Sequence, residues 1–117
     1  MDGKRYDLEE RTFAFAKSVA IFCNKLPRTA SNIEYIKQVV RSSGSVGANY
    51  IEANESLGKK DFSMRLKICR KEAKESEFWL KLIKETNSNR FHDEANELMD
   101  EADQLRRIFS TIIQKSK

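Results

Sequence analysis

Residues 41–54 read RSSGSVGANYIEAN, and the fold turns on how this stretch is read. It gathers Ser42, Ser43, Gly44, Ser45, Gly47, Ala48 and Ala53 into what otherwise looks like the middle of a long amphipathic helix. An interior glycine costs a helix about 1 kcal/mol relative to alanine, so two of them require an offsetting gain. Close approach supplies it. Ser43 and Gly47, or Gly44 and Ala48, stand four apart on one helical face, where the lack of bulk admits another helix or chain. The small residues therefore signal assembly rather than chemistry.

Outward from this stretch, apolar spacing of three and four divides the chain into helical segments with short breaks. The first carries Leu8, Thr12, Phe15, Val19, Phe22 and Leu26, and Pro27 ends it. Ser31 and Glu34 form a capping-box pattern for the second, whose seam runs through Ile36, Val40, Ser43, Gly47, Tyr50 and Asn54 to a close at Leu57 and Gly58. Asp61 is the expected cap of the third, with the seam Phe62, Leu66, Cys69, Ala73, Ser76, Leu80 and Ile83. Ser88 or Asn89 starts the fourth, which carries Phe91, Ala95, Leu98, Ala102, Leu105, Phe109 and Ile112. Segments of about 22 residues, each about 30 Å long, joined by connections of a few residues, force antiparallel neighbours. The expected fold is all-α, an up-down-up-down four-helix bundle formed by one domain over residues 1–117.

Composition agrees. One proline and four glycines leave few breaks, and 34% charged with 39% hydrophobic residues describes a folded, water-facing chain. The longest apolar run, Val19 to Cys23, is far too short to cross a membrane, and no signal-type apolar run follows the charged N-terminus. A cytoplasmic location is the expectation. Cys23 and Cys69 show no CxxC pairing and read as small buried hydrophobes of a reducing compartment. In the fourth segment acidic residues come first and Arg106, Arg107, Lys115 and Lys117 last, which complements the helix dipole.

The third segment carries more apolar surface than its seam uses. Ile68, Glu72, Glu75, Trp79 and Leu82 form a second stripe, and Phe78 lies outside both. Surplus apolar surface marks contact with another chain, so Ser43, Gly44, Gly47, Ala48, Ile68, Glu72, Glu75, Trp79 and Leu82 are the expected oligomer interface. A wider core face with Trp79 capping the bundle end is the alternative. Glu72 and Glu75 need partners if buried, and Arg41 is the first candidate.

Together, RSSGSVGANYIEAN, the KKDF turn and LKICRKEAKESEFWLKLI resemble a family of small four-helix-bundle proteins first noticed in intervening sequences of bacterial 23S ribosomal RNA genes. Related members act as accessory proteins of diversity-generating retroelements. The resemblance runs from about Arg11 to Ile113, and Arg41, Ser45, Asn49 and Glu52 carry it most specifically. Ala53 stands where the commoner motif has glycine after the glutamate. The resemblance implies a ring-shaped homopentamer, nucleic-acid and reverse-transcriptase partners for the retroelement members, and no catalytic residues.

Charge points the same way. The formal net charge is +4, from 22 basic and 18 acidic residues, but Lys59, Lys60, Arg65, Lys67, Arg70, Lys71 and Lys74 crowd into a short stretch against Asp61 and Glu72. Lys67, Arg70, Lys71 and Lys74 repeat at helical spacing away from the seam, so with Lys59 and Lys60 they form the expected nucleic-acid-binding surface. A ring of subunits multiplies such a stripe into a broad positive field. A solvated helix face is the plainer reading of the same residues.

Enzymatic readings fail on motif. Gly44-Ser45-Val46-Gly47 is too short for a phosphate-binding loop and lacks its Lys-Ser/Thr, and no strands flank it as in a KH clamp. The one histidine, His92, has no Glu-x-x-His partner for a carboxylate-bridged metal pair, and neither cysteine has a suggestive histidine. No catalytic residue, metal, cofactor, small-molecule substrate or membrane partner is expected. The expected function is binding of structured RNA or a nucleoprotein by a self-assembling bundle. A protein-only adaptor that presents an oligomeric ring to a partner protein is the competing class, and salt dependence separates the two.

Overall fold

Helix starts and stops are set by a few polar groups and by the chain's single proline. The computed structural model describes residues 3–117, with side chains from residue 8 onward. Helix α1 spans Gly3–Cys23, α2 Ala30–Asn54, α3 Lys59–Glu85 and α4 His92–Lys115, with a 3-10 turn at Asn89–Phe91 leading into α4. No strand occurs among the described residues. The capping box expected at Ser31 is displaced: Thr29 caps α2, its side chain accepting from the Asn32 amide at 3.1 Å. Asn32 decides that position, because its buried side-chain amide donates to the Pro27 carbonyl at 2.9 Å. Gly58 rather than Asp61 stands at the N-cap of α3, and Asp61 sits inside the first turn, where its charge favours the dipole. Helix α2 stops at Asn54, short of Leu57 and Gly58. Ser88 caps the turn before α4, as expected of the residues there, its oxygen accepting from the Arg90 amide.

Paired residues fix the topology. Along α2 and α3 the pairs run Asn32 with Asn87, Ser42 with Ser76, and Asn49 with Arg65, one number rising as the other falls. Between α1 and α4, Arg11 meets Glu101 and Lys25 meets Glu94 in the same sense. The helices are therefore antiparallel along these contacts, in a bundle of 45 × 23 × 19 Å. The core is largely the expected one for three helices: Leu8, Thr12, Phe15, Val19, Phe22 and Leu26 from α1 and its exit, the α3 seam from Leu66 to Ile83, and the α4 seam from Phe91 to Phe109 are buried, while Phe62, expected in the α3 seam, is only partly covered. Ile113 is buried at the last turn of α4, and Ile112, expected there, is only partly covered.

Helix α2 departs from its expected seam. Val39, Ser42, Val46 and Ala53 are buried, whereas Val40 is 43% exposed. The helix is turned by less than one residue's step of about 100°. The reason is that α2 has two neighbours. Gly47 meets Thr12 of α1 and Ser42 meets Ser76 of α3, while Val39, Ser43 and Val46 are buried between. A seam drawn through the small residues alone follows only one edge of the buried face.

The close approach inferred from glycine is real at Gly47 and is internal. A Cβ there would stand 3.1 Å from Thr12 Oγ1 of α1. Thr12 is itself buried, its hydroxyl donating to the Leu8 carbonyl at 2.8 Å, so it has little room to yield. Gly47→Leu is expected to lower stability in urea unfolding by about 1–3 kcal/mol through overpacking. Thr12→Ala in the same chain removes the nearest atom and should recover part of that loss.

Candidate nucleic-acid interface

Helix α3 has two polar flanks of opposite character. Toward α2, carboxylates are paired. Arg41 Nη2 donates to Glu75 Oε1, and Arg41 Nη1 lies 3.3 Å from Glu72 Oε1. That second contact is an ion pair outside hydrogen-bond geometry, so Glu72 Oε1 is buried without a donor. Burial pushes the Glu72 carboxyl above its ordinary value, with Arg41 opposing the rise and the Glu75 charge adding to it. Two turns further along, Arg65 donates to Asn49 Oδ1 at 2.9 Å, and Asn49 donates to the Ser45 carbonyl and hydroxyl. Arg41, Ser45 and Asn49, three of the four residues that carry the sequence resemblance most specifically, thus form a polar ladder beside α3, and the fourth, Glu52, is exposed. Arg41 is the partner expected for Glu72 and Glu75.

The outer face of α3 is unpaired. Lys60, Met64, Lys67, Lys71, Lys74, Phe78 and Lys81 follow one another in alternating steps of four and three, a line about 30 Å long. Its lysines are exposed and, with Lys59, have no carboxylate at ion-pair distance among the described residues. Arg70 does not belong to this line. It is half-buried against α4, donating to Ser110 Oγ at 3.5 Å, because its position turns toward the α3–α4 contact. Lys81, which the sequence reading left out, does belong, and its spacing of seven from Lys74 was the available signal. The basic end of α4 differs: Arg107 and Arg106 both donate to Asp103 and hold its carboxyl below the usual range.

The expected interface residues divide. Ser43 and Glu72 are closed inside a single chain, at 1% and 7% exposure, and Gly47 packs on Thr12, so these three are intramolecular. Glu75 is bound by Arg41, and Ile68, Trp79 and Leu82 are half-buried, with Trp79 meeting Tyr35 of α2 at 6.1 Å. Only Gly44 and Ala48 lie open, and a Cβ on Gly44 would meet nothing within 4 Å. What the sequence reading missed is the company they keep: Ile33, Val40 and Ile51 share that outer side of α2 and are exposed.

Among the described residues no group of three or more His, Cys, Asp or Glu could hold a metal ion, and no helix is long and apolar enough to cross a membrane. Cys23 and Cys69 are free and buried, and burial pushes their thiols up to about 11 and about 12, so neither is a ready nucleophile.

The four long helices define an all-α bundle, and comparison gives its family. The model of the 23S rRNA-intervening sequence protein family matches residues 4–111, and the chain belongs to that family. A crystal structure from Bacteroides thetaiotaomicron, described as a protein of unknown function from the S23 ribosomal protein family, is similar at 26% identity with a TM-score of 0.84. The likeness covers 95% of this chain and 98% of that one. No curated protein matches the chain.

The Glu72 site makes stability depend on pH. A carboxyl whose folded pKa is raised favours the fold most when protonated, so its contribution is present below the ordinary value and lost as pH rises through the raised one. Arg41→Gln removes the opposing cation and leaves a buried carboxylate unpaired. In urea unfolding it should cost about 1–3 kcal/mol at neutral pH and clearly less near pH 4, and adding Glu72→Gln should flatten that difference.

Proposed function

We propose that this chain acts as a non-enzymatic, self-associating helical bundle of the cytoplasm that binds structured RNA or a nucleoprotein through the outer face of α3. The observation that carries this reading is the line of unpaired lysines, Lys60, Lys67, Lys71, Lys74 and Lys81, beside carboxylates already neutralised by Arg41. A solvated helix usually interleaves its charges, whereas this face keeps one sign from Lys60 to Lys81 and meets its first carboxylate only at Glu85, at the end of α3. Such a face suits a phosphate backbone, because each lysine that meets a phosphate releases condensed counterions. Among nucleoproteins, a reverse transcriptase with its RNA, implied by the resemblance for the retroelement members, has the right chemistry.

Self-association is proposed through the outer side of α2, where Ile33, Val40, Gly44, Ala48 and Ile51 offer a slender apolar face. Gly44 supports this, since it weakens the helix without relieving any contact within the chain. A pentamer, as the resemblance implies, would repeat the lysine face around a ring. Light scattering should therefore give about five times 13.6 kDa. Val40→Glu with Ile51→Glu should give a folded monomer, since both side chains are exposed within one chain. A wild-type monomer at micromolar concentration would remove this part of the proposal.

Lys67→Gln, Lys71→Gln and Lys74→Gln together should keep helicity and mass, because glutamine has similar helix propensity and these side chains bury little. Filter binding to structured RNA should weaken steeply, and the log-log salt slope should fall by up to about three. Equal RNA retention by wild type and variant across the salt series would exclude the face. No retention by either, with a salt-insensitive protein partner instead, would assign the chain to the adaptor class.

A further inference from the structure

Phe78 is the one large aromatic side chain on the lysine face, and the residue is 55% exposed. It is not a loose surface residue. It meets the Trp79 ring edge to face, with centroids 5.1 Å apart and planes 76° apart, and the Trp79 and Tyr35 centroids lie 6.1 Å apart. Trp79 is partly buried against the core, so the three rings form a buttress that starts at α2 and ends in an open face. Lys74 lies four residues before Phe78 and Lys81 three after, one helical turn to either side on the same face.

The surroundings indicate what such a ring would meet. A contact with an apolar protein surface would bury Lys74 and Lys81 beside it without partners, at a cost that salt bridges on the partner would have to offset. A nucleobase needs no such arrangement, because its own flanking phosphates reach the lysines while its π-face lies on the ring. A base inside a regular duplex is already stacked on both sides and cannot present that face. We infer that Phe78 is a stacking platform for an unpaired nucleotide, so that the preferred ligand is RNA with a loop, bulge or single-stranded end rather than uniform duplex. This rests on the proposed RNA-binding function and narrows its substrate class.

The test compares an RNA hairpin closed by an oligouridine loop with a blunt duplex RNA of equal length, using the full chain. Phe78→Leu should lose affinity for the hairpin on the order of ten- to a hundredfold, the usual effect of removing one base-stacking ring. Its affinity for the duplex should be unchanged, and Phe78→Tyr should bind the hairpin like wild type. Trp79 is the only tryptophan, so hairpin binding should alter its emission in wild type and not in Phe78→Leu. If wild type and Phe78→Leu bind the hairpin equally while the triple lysine variant does not, stacking is overturned and the RNA reading stands. If wild type binds neither RNA, the RNA reading fails and the stacking role with it. If Phe78→Leu loses oligomer mass, the ring serves a contact between copies of the chain and the inference is overturned.

Discussion

The rest of the bundle depends on how closely α2 and α3 approach at Ser42 and Ser76, whose hydroxyl oxygens lie 2.7 Å apart in the buried interior. Both helices present small side chains there, with Ala73 and Cys69 beside Ser76, so their axes can come close without leaving voids. The two hydroxyls satisfy each other. Ser76 donates to the Glu72 carbonyl at 2.9 Å and can accept from Ser42, so neither oxygen is stranded. At one end of the same contact Asn32 and Asn87 exchange two amide bonds of 2.8 Å, and toward the other Arg65 reaches Asn49. A slip along the axis would break all three at once, which fixes both the register and the rotation of α2.

That rotation sorts the charges. It turns Arg41 toward Glu72 and Glu75, while the lysines of the outer face have no carboxylate at ion-pair distance among the described residues. The positive face is thus a consequence of where the carboxylates go as much as of how many lysines there are. A formal charge of +4 spread evenly would make little field, but one helix face of a single sign makes a directed one. The same rotation carries Val40, Ile33 and Ile51 outward with Gly44. An interior glycine and three exposed branched side chains on one helix are unusual for a surface that meets only water.

Close contact and open space are both available to a small-residue stretch, and RSSGSVGANYIEAN uses both. Ser43 and Gly47 are spent inside the bundle, Gly47 because a methyl group would press on Thr12. Gly44, three residues earlier, faces outward with nothing near it. One sequence motif therefore serves two surfaces, and an interface drawn through all its small residues together mixes them.

The sequence by itself determined the helices, their antiparallel order and most of the core, because seams such as Phe91, Ala95, Leu98, Ala102, Leu105 and Phe109 repeat at helical period and short connections leave one arrangement. It also showed Arg41 as the partner for Glu72 and Glu75, since a carboxylate in an apolar stripe requires a cation within reach. The line of lysines was legible for the same reason of period, although Arg70 was drawn into it and Lys81 left out. Only the tertiary structure decided the rotation of α2, and with it which small residues are internal, because a helix with two neighbours has a buried arc whose centre depends on both. Caps follow the same rule: with Asn32 held by Pro27 and Asn87, the N-cap of α2 is Thr29 rather than Ser31, and no local pattern contains Asn87. Period belongs to one helix at a time, whereas rotation and pairing belong to the contacts between helices.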